Sequence, residues 1–172
     1  MIPLLVSTYD YGGAANACLR LHSGLLKEDV PSKLLLKAKT NLDFNESFQI
    51  SLKAQNKTIK ERSIRKLNNI LKELGFYKEK HDKFLEHRPK GAEMFSYPHS
   101  DYDITNSELY EHADIINLHW VANFLDFPSF FRKNEKPLVW TLHDQYPFTG
   151  GEHYIEEYLG MNNGFPKKRN YS

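Results

Sequence analysis

The chain has 172 residues, 23 Lys/Arg against 22 Asp/Glu, and one cysteine. That length carries one domain with a real core and would leave two cramped; with 40% hydrophobic and 13% aromatic residues it packs rather than staying disordered. One cysteine excludes an internal disulfide and a cysteine-based zinc site, and no apolar run reaches the roughly 18 residues that span a bilayer. The opening MIPLLVSTYD lacks a basic leader and a long apolar core, so no signal peptide is read and the expected location is cytoplasmic.

In chain order, PLLVST (3–8) predicts a short strand. Gly12-Gly13 then turns the chain into a helix over 14–28, with an apolar stripe of Ala17, Leu21 and Leu25 and with Cys18 and Leu26 beside it. SKLLLKA (32–38) predicts a second strand. Between Lys53 and Lys90 lie twelve Lys/Arg and five Asp/Glu, a local surplus of seven positive charges that leaves the remainder at −6. Within this basic insert Ile64, Leu67, Leu71 and Leu74 fall at helical spacing, which predicts an amphipathic helix ending near Gly75. A solvated charged face is the plain reading of 53–90. A surface drawn to anionic lipid or to an anionic acceptor is the alternative. The insert has no stacking-aromatic pattern or known nucleic-acid motif, so nucleic acid is not an expected partner.

Farther on, EMFSYP (93–98) reads as a short strand, and TNSELYEHA (105–113) as a helix with Thr105 as N-cap and Glu108 completing a capping box. DIINLHW (114–120) and PLVWTLHD (137–144) are apolar strands separated by PSFFRKNEK (128–136), a short helix or loop. The segment from Gly160 to Ser172 reads as a loose tail. Strands and helices alternating in this way, with nearly continuous Val/Ile/Leu runs, predict a parallel sheet covered on both faces. The expected fold is therefore a Rossmann-like α/β domain over residues 1–172 with a basic helical insertion.

Open parallel sheets bind ligands beyond the carboxyl ends of their strands. That rule gathers Tyr9 to Gly13, His119 and Trp120, and His143 and Asp144 onto one rim. Gly12-Gly13 is neither a GxGxxG fingerprint nor a Walker loop, so two readings stand: bare backbone for a phosphate at a helix start, or a plain turn. A strand-end histidine is commonly structural, but two on adjacent strand ends make a functional cleft worth considering. His119, His143, His153 and Asp144 lack the paired helical spacing of a metal hydrolase, so no metal is expected. No serine has elbow spacing and Cys18 sits on the helix, which leaves no candidate nucleophile.

Three blocks, STYDYGGAANACLRLHSGLL, YDITNSELYEHADIINLHWVANFLDFPSFF and KPLVWTLHDQYPFTGGEHY, about 70 residues in all, resemble the amino-terminal half of a bacterial family 4 retaining glycosyltransferase of the GT-B group. The basic stretch lies outside the match. The resemblance implies two Rossmann-like domains facing each other across a cleft, the first holding the acceptor and the second a nucleotide-sugar co-substrate, with no metal or other cofactor. It implies that Gly12 and Gly13 approach the donor diphosphate and that His143 lies against the transferred sugar as the catalytic residue. His119, Trp120, Asp144 and His153 would line the acceptor side. The implied partners are a nucleotide sugar and a surface-polysaccharide or lipid-linked glycan acceptor, with peripheral contact at the inner face of a membrane through the basic insert. The sequence departs from the pattern in having Glu152 before His153-Tyr154, where relatives carry a cysteine, and in lacking two glutamates eight residues apart. The expectation is an acceptor domain that is inactive alone. A non-catalytic Rossmann-like binding module and a metal-dependent hydrolase are the other readings.

Overall fold

Five strands lie in one parallel sheet: β1 (Pro3–Ser7), β2 (Lys33–Leu36), β3 (Ser47–Gln49), β4 (Ile115–Leu118) and β5 (Leu138–Trp140), in the order β3-β2-β1-β4-β5. The computed structural model describes residues 1–40, 44, 46–50, 59–76, 94–149 and 151–154, so the expected tail at 160–172 and much of the insert lie outside the described residues. The chain forms two compact units, one from Met1–Lys53 with Glu93–Ser172 and one from Ala54–Ala92.

Period-two alternation assigns the two faces of the sheet. Leu5, Leu34 and Leu36 pack with Cys18 and Leu19 of α1 (Gly13–Lys27). Leu4, Val6, Leu35, Ile116 and Leu118 turn the other way, onto Ile104 of a short 3-10 turn (Ile104–Asn106), Tyr110 of α3 (Glu108–His112) and Phe130 of α4 (Phe127–Lys133). The expected Rossmann-like parallel sheet covered on both faces is therefore present. On the α1 side, β5 is poorly covered, with Val139 46% exposed.

Three local expectations change. The buried stripe of α1 is Ala15, Cys18, Leu19 and His22, while Leu21 is exposed. A histidine takes the inner position because its Nδ1 lies 2.8 Å from Ser32 Oγ, which satisfies the buried ring. Thr105 is not the N-cap: Asp103 accepts from Thr105 N at 3.1 Å to cap the 3-10 turn, and Ser107 accepts from Tyr110 N at 3.2 Å to cap α3. EMFSYP forms no sheet strand; Phe95 makes one isolated antiparallel bridge with Glu152. β3 was not foreseen, because only three residues pair and one of them, Phe48, stays exposed.

Both longer helices stop by the same device. α1 ends with Asp29 at φ 56°, where Val30 N donates to Leu25 O at 2.9 Å and Asp29 N to Leu26 O at 3.2 Å. In the second unit, α2 (Ile59–Glu73) ends at Gly75, φ 76°, with Phe76 N donating to Leu71 O at 2.8 Å. The helix expected around Ile64, Leu67, Leu71 and Leu74, and its glycine stop, are thus present.

Candidate functional site

The strand order reverses between β1 and β4, and the crevice of an open α/β sheet opens at such a reversal. Here the loops are tied together. Thr8 N donates to Trp120 O at 2.8 Å and Thr8 Oγ1 to Ala122 O at 3.0 Å, fastening the turn after β1 to the turn after β4. Thr141 N donates to Leu118 O at 2.8 Å and Trp140 Nε1 to His119 O at 3.2 Å, fastening the turn after β5 to β4.

Two histidines meet on that framework. His119 Nδ1 and His143 Nε2 are 3.0 Å apart with the rings stacked. His119 is 3% exposed; burial, and then the neighbouring His143, push its pKa down to about 4. Burial also lowers His143, against the opposing pull of Asp144. Near neutral pH both rings are therefore uncharged, and one proton occupies the N···N contact. His119 Nε2 is buried with no hydrogen-bond partner among the described residues.

Asp144 is the hub beside the pair. Its Oδ2 accepts from Trp120 Nε1 at 2.9 Å and lies 2.5 Å from His153 Nδ1, while Oδ1 accepts from Tyr146 N at 3.1 Å at the start of α5 (Tyr146–Thr149). His153 Nε2 is 2.9 Å from Ser96 Oγ, and Tyr146 stacks flat on the His153 ring. Ser96, His153 and Asp144 thus line up as hydroxyl, imidazole and carboxylate. Ser96 and His153 are 1% and 0% exposed, so no substrate reaches this hydroxyl, and the line works as an internal clasp between distant segments.

Gly12 and Gly13 have separate roles. Gly12 adopts φ 91° and ψ 173°, a region essentially reserved for glycine, whereas Gly13 is an ordinary first helical residue. A Cβ on either would meet nothing within 4 Å, so the backbone there faces open space. No side chain caps α1, and its first turn holds no acidic residue.

The rim expected from the sequence is therefore assembled, with His119, His143, Trp120 and Asp144 in one bonded network. His153 joins it from inside the protein. Ser96 and Tyr146 were missed; Tyr146 stands two residues beyond Asp144 and could have been found there, but nothing in the sequence ties Ser96 to a histidine 57 positions away. Burial pushes the Cys18 thiol up to about 12, which leaves it a packing residue. Among the described residues, no three His, Cys, Asp or Glu side chains are grouped to hold a metal ion.

Strand order, crossovers and rim together define a Rossmann-like α/β fold with its crevice at the β1/β4 reversal. Comparison with known proteins adds no relative: no family model matches the chain, and neither a curated protein nor a solved structure shows significant similarity to it. Among the described residues no helix is long and apolar enough to cross a membrane.

Proposed function

We propose that this chain is the acceptor-binding half of a retaining glycosyltransferase, which moves a sugar from a nucleotide-sugar donor to a surface-polysaccharide or lipid-linked glycan. The observation that carries this reading is the bonded rim at the β1/β4 reversal, where a neutral His119–His143 pair accompanies bare backbone at Gly12 and Gly13. It adds to the resemblance carried by the three sequence blocks. In this reading Gly13 leaves room for the donor diphosphate at the start of α1, and His143 supports the charge that develops on the transferred sugar. His119, Trp120, Asp144 and His153 form the acceptor side, His153 acting by holding Asp144 in place. The donor half comes from a second α/β domain, no metal takes part, and the basic helix α2 approaches anionic lipid at the inner face of a cytoplasmic membrane.

Transfer assays test this. With a panel of nucleotide sugars, the 172-residue chain alone is expected to show no sustained turnover, and the chain joined to its donor domain is expected to transfer sugar, with a loss of at least 100-fold in His143→Ala. Robust turnover by the chain alone, or full activity in His143→Ala, overturns the assignment.

A further inference from the structure

We propose that Tyr11, Tyr9 and Trp120 form a stacking shelf for an uncharged pyranose ring, so that the acceptor is a neutral glycan at this end; this rests on the acceptor-binding reading above. The rings follow one another in near-parallel order. Tyr11 and Tyr9 have centroids 4.9 Å apart at 29°, and Tyr9 and Trp120 5.9 Å apart at 27°. The inner end is fixed, because the Trp120 indole N–H donates to Asp144 Oδ2 at 2.9 Å and its ring lies 5.8 Å from that of the buried His153. The outer end is open, with Tyr11 58% exposed.

A phenol held at 58% exposure in the turn of a switch-point crevice presents a flat apolar face with a hydroxyl at its edge. A pyranose is its complement, with C–H groups on one face and hydroxyls around the ring. At the outer face of Tyr11, local charge suits an uncharged ring. The segments building the shelf, 7–13, 119–123 and 141–146, contain Asp10 and Asp144 and no Lys or Arg, and the ammonium of Lys37, which borders them, is held by Asn123 O at 2.6 Å. Asp10 is itself fixed, accepting from Thr40 N and Thr40 Oγ1 at 2.6 Å each. The shelf reaches His143 through a single residue: Asp144, which holds Trp120, is the next in the chain. A ring seated on the outer face of Tyr11, with Tyr9 and Trp120 stacked behind it, therefore lies on the same rim as the histidine pair.

The test is a titration of the isotopically labelled 172-residue chain with neutral methyl hexopyranosides and short neutral oligosaccharides, reading the Trp120 indole N–H signal. The chain has two tryptophans, so that signal is readily assigned. Saturable shifts are expected for a neutral sugar, with affinity at least tenfold weaker in Tyr11→Ala and within about twofold of the parent in Tyr11→Phe. Sugar binding that survives Tyr11→Ala unchanged overturns the shelf and leaves the acceptor reading standing. Failure of the parent chain to bind any neutral sugar overturns the shelf, and failure to bind charged oligosaccharides as well overturns the acceptor reading. A nucleoside monophosphate bound in place of sugars, with the same dependence on Tyr11, overturns the choice of ligand.

Discussion

His119 Nδ1 and His143 Nε2 lie 3.0 Å apart, and burial holds the His119 ring neutral. Its folded pKa of about 4 lies below the ordinary value of 6.5, so between these limits the unfolded chain binds more protons than the folded one. Stability is thus fully present above about pH 6.5 and is lost as pH falls toward about 4, by up to about 3 kcal/mol. Urea denaturation from pH 4 to 7.5 should show this slope, and His119→Gln should flatten it. An equal slope in parent and variant would place the pH dependence elsewhere.

Asp144 satisfies three donors at once, so its loss strands an indole N–H, a buried imidazole and a backbone N–H. Asp144→Ala is expected to cost about 3 kcal/mol or more, and Asp144→Asn, which keeps an acceptor, roughly half of that. Denaturant midpoints with a near-ultraviolet circular dichroism readout of the Trp120 environment measure both. A midpoint for Asp144→Ala equal to the parent's would remove Asp144 from its place as the hub.

The two opening glycines separate experimentally. Gly12→Ala forces a side chain into φ 91° and should cost about 1–3 kcal/mol. Gly13→Ala meets no neighbour and should leave the melting temperature equal or slightly higher, because alanine is the better helix former. If a diphosphate uses the open space, Gly13→Ala lowers nucleotide-sugar affinity in the two-domain protein without a stability loss. Unchanged affinity would remove the phosphate role.

Asp29 holds the left-handed position at the end of α1 that Gly75 holds after α2. Asp29→Gly is expected to raise stability by up to about 1 kcal/mol, the relief of the backbone outweighing the added freedom of the unfolded chain; Asp29→Val is expected to lower it by a similar or larger amount. Thermal melts of the two variants should move in opposite directions.

Cys18, buried against Leu5 and Leu34, should be unreactive toward a disulfide reagent at pH 8 and become labelled at the rate of global unfolding. Rapid labelling under native conditions would mean that α1 opens locally.

Four of the five strands could be read from the sequence because they are apolar runs with turn residues after them, β3 being the exception, and the rim followed from where those runs stop. The inner face of α1 could not. His22 has a polar name, and its bond to Ser32, ten residues away, satisfies its ring in the core. The cap of α3 was misread for a related reason: Asp103, Thr105 and Ser107 are all capping types, and the backbone's path decides which one faces the free N–H groups. Of the site, Trp120, His119, His143 and Asp144 were legible as strand-end residues. Ser96 was not, since its partner His153 is reached through tertiary folding alone.

Asp114 N donates to Ile2 O at 2.9 Å and Asp114 Oδ2 accepts from Ile2 N at 2.6 Å, a seam between residues 112 positions apart. The β1–β4 pairing therefore closes a loop that contains the whole of Ala54–Ala92. Closing such a loop costs entropy that grows only logarithmically, about 0.6 kcal/mol per doubling of its length. The β1–α1–β2 crossover unit, with its local contacts, is able to assemble first, while the seam must wait for a long diffusive search, so the excursion sets the pace of folding far more than its final free energy. Its length is accordingly free to vary at small thermodynamic cost, while the crevice at the far end of β1 and β4 keeps its shape.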